Sequence, residues 1–210
     1  MTTRPSGWVA RFPYRQPDPG SESGRPEPHG GVPPWLQERL FDRRIVMLAG
    51  PLTGDAASQT AAALITLDAI GVRPVQLHVT AVDGELSAAF AVVDAIRSMR
   101  APVDVVVPSQ AGGASLAVLA AARRRLAFPH ARLRLVEPGA ALASGTADRV
   151  AGAAGEYLRE LEELIVALAD MTHQRRSRIE DDLSAGRVLT APEAKEYGLI
   201  DDIIDRAQEI

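Results

Sequence analysis

Short apolar runs alternate with longer amphipathic stretches from about residue 35 onward. The runs are rich in Val, Ile and Leu and predict strands at 43–49, 75–80, 105–107 and 132–136. The stretches between them carry apolar residues at helical spacing and predict helices at 35–41, 55–70, 85–99 and 114–126. Strand starts about 30 residues apart are typical of βα units with right-handed crossovers. The pattern therefore predicts an α/β domain with stacked βα units.

The last third of the chain has clearer helix signals. A long helix is predicted from Asp148 to about residue 171, with one apolar stripe that includes Leu158, Leu161 and Leu164. A short charged helix follows at 177–183. Thr190 and Glu193 form a capping-box pattern for a further helix, which Gly198 ends. A strand at 199–204 is the last predicted element. Asp55 and Asp148 are the predicted N-caps of their helices.

The first 34 residues have a different composition. They hold eight of the 15 prolines and five of the 17 glycines, with few residues that can form a core. Such a composition is typical of a disordered or polyproline-like arm. We therefore expect an arm at 1–34 and one α/β domain at 35–210.

Composition narrows the functional classes. The net charge of −4 gives no basic field for nucleic acid, and the absence of cysteine removes thiolate chemistry and disulfides. Four scattered histidines predict no metal site, and nothing in the chain predicts a cofactor. No apolar run approaches the roughly 20 residues of a membrane span. With no secretory signal visible, we expect a cytoplasmic protein.

A turn of small residues at 108–113 follows the apolar run at 105–107 and leads into the Ala/Leu-rich stretch. Hydrolases of α/β type present a nucleophile on such a strand-to-helix turn, where free N–H groups of the helix can hold an oxyanion. Here the turn carries Gly113, which has no nucleophilic atom.

The same stretch resembles the proteolytic subunits of the ATP-dependent Clp protease family. That family reads roughly G-x-A-A-S-x-(G/A)-x-x-L-L-A-A-G, and this chain reads S-Q-A-G-G-A-S-L-A-V-L-A-A-A from Ser109 to Ala122. Arg187 to Asp201 resembles the family's F-(L/M)-(S/T)-A-x-E-A-x-E-Y-G-L-(I/V)-D almost residue for residue. The resemblance implies an α/β fold of the ClpP/crotonase type, a spiral of ββα units with a protruding strand–helix handle at about 139–172.

The resemblance also assigns the catalytic positions. The family's nucleophilic serine falls on Gly113, its general-base histidine on Val136 and its aspartate on Gly186. A serine triad needs a nucleophilic oxygen, a nitrogen base and an orienting carboxylate, and these three residues supply none of them. We therefore expect a Clp subunit without peptidase activity of its own.

The oxyanion-hole positions differ as well. The family's I-N-S-P-G-G-x corresponds to V-T-A-V-D-G-E, so that Asp83 and Gly84 stand at its glycine pair. A carboxylate there would repel a developing oxyanion. The second donor implied by the resemblance is the N–H of Ala114.

The resemblance further implies an assembly. Family members form heptameric rings that stack as tetradecamers through the handle and are fed by a Clp ATPase. We expect this chain to assemble with itself or with a ClpP paralogue as a structural or regulatory subunit, with an ATPase as a further partner.

Two alternatives stay open at this stage. One is an active serine peptidase with displaced residues, for which Ser115, His130 and Asp182 are the candidates. The other is a CoA-binding enzyme of the crotonase type, which shares the spiral architecture.

Overall fold

The computed structural model describes residues 33–139 and 145–204. The predicted arm at 1–34 thus lies almost wholly outside the described residues, as do 205–210 at the end of the predicted domain. The described part contains seven helices and eight strands. The helices are α1 (Pro34–Asp42), α2 (Gly54–Ile70), α3 (Leu86–Ser98), α4 (Ser115–Ala120), α5 (Ala147–Thr172), α6 (Arg176–Ala185) and α7 (Ala191–Tyr197). The strands are β1 (Ile45–Ala49), β2 (Val75–Thr80), β3 (Val103–Val107), β4 (Gln110–Gly112), β5 (Arg124–Ala127), β6 (Arg132–Leu135), β7 (Arg187–Thr190) and β8 (Asp202–Ile203).

Five parallel strands form the main sheet, in the order β1-β2-β3-β5-β8. All five residues of β3 are buried, because this central strand has both faces covered. Every second residue of β2 is buried, with Val75, Leu77 and Val79 in the core. The predicted α/β fold with parallel strands is confirmed.

A second, three-stranded sheet has the order β4-β6-β7. Strand β4 runs parallel to β6, and β6 runs antiparallel to β7. The apolar run at 132–136 is thus a strand as predicted, but it belongs to this sheet and does not extend the main one. Strands β4 and β7 were not predicted, because three or four residues beside glycines show too short a pattern to identify.

The helix predicted at 114–126 is wrong in its second half. Helix α4 ends at Ala120, and Arg124–Ala127 is strand β5, paired with β3. Arg124 and Arg125 therefore lie in a strand and not in a helix. Arg123 donates two hydrogen bonds to Asp104, at 2.9 and 2.7 Å, and Asp104 is only 8% exposed. A buried carboxylate needs a partner, so tertiary contacts override the helix propensity of the stretch.

Two helix N-caps lie two residues before the predicted positions. Thr53, not Asp55, is the N-cap of α2, and its hydroxyl accepts a hydrogen bond from Ala56 N at 3.3 Å. Thr146, not Asp148, precedes α5. Both aspartates lie in the first turn, where a carboxylate favours the helix dipole. The capping box of Thr190 and Glu193 is confirmed.

Helix α5 is 26 residues long, and its fully buried residues all lie in its second half. They are Leu164, Ile165, Leu168 and Thr172. The predicted long helix is thus present, whereas the strand expected in the handle falls partly on 140–144, outside the described residues. Among the described residues, no helix is long and apolar enough to cross a membrane.

Candidate active site

The turn between β4 and α4 carries Gly113 in a backbone conformation that favours glycine. Its φ is +54°, in the left-handed region. The neighbouring Gly112 lies against β6, where a β carbon would meet the carbonyl oxygen of Arg134 at 2.7 Å. In α/β hydrolases a strand-to-helix turn of this kind presents the nucleophile.

The space beside Gly113 is taken by backbone from another segment. A β carbon built on Gly113 would lie 2.9 Å from the carbonyl oxygen of Val82 and 3.8 Å from Pro138 Cα. Real β carbons essentially never come closer than 3.0 Å to such an atom. A side chain at position 113 would therefore require the backbone near Val82 to move.

Strand pairing brings the three triad-equivalent positions to one end of the second sheet. Gly112 pairs with Arg134, and Leu135 pairs with Arg187. One step beyond these pairs, Val136 lies alongside Gly186 and next to the turn of Gly113. The three positions that the resemblance assigns to the triad thus lie at one end of this sheet, and their side chains are hydrogen, isopropyl and hydrogen.

Val136 and Gly186 occupy different surroundings. Val136 is half-buried at the end of β6, whereas Gly186 ends α6 with φ +67° and has open space where a β carbon would lie. A side chain thus fits at position 186 at the cost of backbone strain alone.

The oxyanion-equivalent segment is held against the loop before α2. The carbonyl oxygen of Asp83 accepts a hydrogen bond from Leu52 N at 2.9 Å, and Glu85 N donates to Leu52 O at 2.9 Å. Gly84 between them has φ +148°, and a β carbon there would lie 2.4 Å from Leu52 Cβ. Gly84 is therefore a structural requirement. The Asp83 side chain is exposed, and Ala114 is fully buried.

Ser115 lies beside the site but is tied into the fold. It is 1% exposed, and its hydroxyl oxygen lies 2.8 Å from the carbonyl oxygens of both Ala81 and Gly112. The same oxygen accepts a hydrogen bond from Gly112 N at 3.0 Å. The hydroxyl thus links β4 to the segment after β2.

The other two candidates for a displaced triad also have separate partners. His130 is exposed in the turn before β6, where its carbonyl accepts from Arg132. Asp182 accepts hydrogen bonds from Tyr197 Oη at 2.7 Å and from Arg187 Nη1 at 3.1 Å. Within the described part of the chain, no hydrogen bond joins any two of Ser115, His130 and Asp182.

Sequence reasoning did not identify the cluster around Tyr197. The guanidinium groups of Arg178 and Arg187 lie 5.1 and 5.5 Å from its ring centroid, and burial together with the bond to Asp182 raises the pKa of Tyr197. Tyr197 belongs to the E-A-x-E-Y motif, so the sequence identifies this tyrosine. The sequence does not identify Asp182 as its hydrogen-bond partner. The cluster fixes α6 and β7 next to Gly186.

Helix α5 borders the site through Tyr157. Its hydroxyl donates to Pro138 O at 2.8 Å, and burial and the nearby Glu137 raise the pKa of Tyr157. Glu160, one turn further along, has a raised pKa because it is partly buried among Glu156, Glu163 and Glu85. The described residues contain no group of three acidic, His or Cys side chains able to hold a metal ion.

This arrangement defines an α/β protein with a hydrolase-type turn and no nucleophile on it. The Clp protease family model matches residues 35–207. The ATP-dependent Clp protease proteolytic subunit 1 of Bifidobacterium longum (strain NCC 2705) is 31% identical over 86% of this chain and 79% of its own length. The protein of the same name from Thermobifida fusca (strain YX) is 27% identical over 91% of this chain and 93% of its own length.

The chain therefore belongs to the Clp protease family. The resemblance read from the sequence motifs is thereby confirmed.

Proposed function

We propose that this chain is a Clp subunit without peptidase activity that serves as a structural or regulatory member of a ring. The observation that carries this proposal is the collision at Gly113. The position equivalent to the nucleophile lacks a side chain, and the carbonyl of Val82 lies 2.9 Å from where its β carbon would be. A serine at position 113 would therefore bring its β carbon too close to the Val82 backbone, which supports the proposed lack of activity.

The other two triad positions support the same function. Neither Val136 nor Gly186 can accept a proton or orient a base. The exposed Asp83 adds only a screened repulsion, because salt and water weaken the field of a surface carboxylate. The backbone at Val82 is therefore the stronger obstacle to activity.

A displaced triad has no support in the hydrogen bonds. A nucleophilic serine needs a base within about 2.6–3.2 Å, and the Ser115 hydroxyl meets only backbone groups. No observation favours a CoA-binding activity.

The relatives suggest the assembly in which such a subunit would act. Proteins of this family form rings that work with Clp ATPases. We infer that this chain enters a heptameric or tetradecameric ring with itself or with a catalytic paralogue in the cytoplasm, and that an ATPase docks on that assembly. The partly exposed α5 is the element available for contacts between rings.

An active-site probe tests the proposed lack of activity. The purified full chain is incubated with a fluorophosphonate, which labels activated serines, and the products are analysed by intact mass. We expect no label on this chain, and we expect labelling of the Thermobifida fusca relative under the same conditions. A label that is lost in the Ser115→Ala variant would overturn the proposal.

Restoring the triad gives the converse test. We expect that Gly113→Ser, Val136→His and Gly186→Asp together give little or no turnover of a fluorogenic peptide, because the β carbon of the new serine would lie too close to the Val82 carbonyl oxygen. A matched chain with only Val136→His and Gly186→Asp shows whether any loss of folding comes from position 113. Substantial turnover by the triple variant would contradict the structural argument.

A further inference from the structure

A groove of about 270 Å³ lies between α1, β1 and the first half of α2, on the main sheet and away from the triad-equivalent positions. All of its lining side chains are uncharged. Apolar groups such as Leu40 and Phe41 form one wall, and Gln37, Gln59 and Thr60 add neutral polar groups. An ionic ligand would find no counter-charge here, so the lining selects for an uncharged, largely apolar occupant.

The floor of this groove is the outer edge of β1. Among the described residues, β1 pairs only with β2, so its other edge has no strand partner. The C=O of Arg44 accepts from Gln76 N at 2.9 Å, and Gly50 N donates to Thr80 O at 3.0 Å. Even-numbered residues of this segment therefore direct their backbone groups toward β2.

Backbone groups alternate in direction along a strand. Ile45, Met47 and Ala49 thus direct their N–H and C=O groups toward the open edge, along the groove. A row of three donors and three acceptors at strand spacing is a template for a further strand. Thr60 is 4% exposed and lines the same groove.

We propose that this groove is a strand-addition site that binds an extended, uncharged and largely apolar peptide segment of a partner protein. The partner's backbone pairs with Ile45, Met47 and Ala49, and an apolar side chain enters the space between α1 and α2. Main-chain pairing supplies affinity and the pocket supplies specificity, as in other cases of strand addition. The site is independent of the proposed lack of peptidase activity.

A capped, fluorophore-labelled heptapeptide of alternating valine and threonine is the probe. Its binding to the full chain is followed by fluorescence anisotropy. We expect saturable binding that weakens at least about tenfold when alternate peptide nitrogens are methylated, since methylation removes the donors and keeps the composition. Equal binding of the methylated peptide, or no saturable binding up to millimolar concentration, would overturn the proposal.

Single-residue hydrogen exchange locates the bound peptide. The amides of Ile45, Met47 and Ala49 should slow in its presence, while those of Val46 and Leu48 stay unchanged. Protection confined to another part of the chain contradicts strand addition at β1. If the same three amides are already slow without peptide and speed up when the chain is diluted to smaller species, a second copy covers the edge, and a foreign partner is ruled out.

A pair of matched variants tests whether the peptide binds in the groove, because only one of them places a charge there. Gln59→Glu should weaken the valine–threonine peptide about tenfold, because the carboxylate would have to be desolvated beside it. Gln110→Glu makes the same change at an exposed residue of β4 and should leave binding unaltered. Circular dichroism and a thermal melt confirm that both variants fold. Equal affinity of the two folded variants would place the peptide elsewhere.

Discussion

At the residue scale, substitutions at Gly113 and Gly186 allow the cost of backbone strain to be measured separately from the cost of a steric collision. Both have positive φ, but only Gly113 would place a β carbon against another atom, the Val82 carbonyl oxygen. We expect Gly186→Ala to cost about 1–2 kcal/mol in free energy of unfolding, the strain of a left-handed residue. Gly113→Ala should cost more, by about 1–3 kcal/mol, because overpacking adds to the strain. Urea denaturation of the full chain measures both values.

Gly186→Ala is the control for Gly113→Ala, since the chemical change and the sign of φ are the same. Equal losses of stability in the two variants would mean that the backbone at Val82 moves aside at little cost in free energy. In that case the backbone would be no barrier to a serine at position 113, and only the missing side chains would account for a lack of activity.

Ser115 allows a second test at this scale. Its buried hydroxyl takes part in contacts with Ala81 and Gly112 at 2.8–3.0 Å. We expect Ser115→Ala to lower the free energy of unfolding by about 1–3 kcal/mol, because it leaves buried backbone groups without that partner. The measurement is chemical denaturation, with Ser98→Ala as the comparison, because Ser98 is an exposed serine that donates to a single carbonyl, that of Ala95. An unchanged stability for Ser115→Ala would show that the hydroxyl is free for another role.

The resemblance to the family motifs assigns the three triad positions to Gly113, Val136 and Gly186 from the sequence alone. It cannot place Val82, which approaches Gly113 from a segment about 30 residues earlier and contributes only its backbone to the contact. A carbonyl oxygen leaves no signature in the sequence, since every residue has one. The same holds for Ser115, whose role follows from the chain folding back to Ala81.

At the element scale, α5 carries a cluster of like charges beside the site. Burial raises the pKa of Glu160, and Glu156, Glu163 and Glu85 raise it further. Because the folded state then binds the proton more tightly than the unfolded chain, this group favours folding most below its ordinary pKa of about 4.3. That contribution is lost as the pH rises through the raised pKa.

We therefore expect Glu160→Gln to stabilise the chain near pH 7 by about 0.5 kcal/mol, the size of one or two like-charge contacts on a helix. The gain should vanish toward pH 4, where Glu160 is protonated. Thermal melts across this pH range measure it.

Glu162→Gln is the matched control because Glu162, on the same helix, forms an ion pair with Arg176. It should lower stability or leave it unchanged near neutral pH. A stabilisation of the same size in both variants would mean that the total charge of α5, and not the cluster around Glu160, sets the effect.

Elements with a long periodic pattern were predicted closely, including α2, α3, α5 and the central strands. Strand β5 was missed because Arg124–Ala127 follows an Ala/Leu-rich stretch with strong helix propensity. The available signal was Asp104, a buried carboxylate inside the apolar run of β3, which required a cationic partner. Arg123 is that partner.

At the scale of the whole molecule, the described residues keep the parts of a Clp subunit that build the domain. The two sheets, the capping box of α7 and the long α5 are present, whereas the three positions that the family motifs assign to the triad carry Gly, Val and Gly. Core packing and catalysis depend on different residues, so that a chain can lose one and retain the other. Under the proposed lack of peptidase activity, the function of this subunit would depend on ring assembly.

The first half of α5 is the element best suited to test assembly. Residues 147–158 have no fully buried member, and Leu158 and Val150 are 62% and 44% exposed. Twelve residues of helix extend about 18 Å at 1.5 Å per residue, enough to reach a neighbouring subunit. An exposed leucine on such a segment is apolar surface that an interface would cover.

We expect Leu158→Glu to reduce the mass of a stacked double ring to that of single rings or smaller species, because a charge would be buried at the contact. Light scattering after size-exclusion chromatography measures the mass, and circular dichroism should show an unchanged fold. Ile70→Glu is the comparison, since Ile70 is 66% exposed at the end of α2. Leu164 is unsuitable because it is fully buried, so that its replacement tests folding and not assembly. A double ring that survives Leu158→Glu with unchanged mass would exclude the exposed half of α5 from the ring contact.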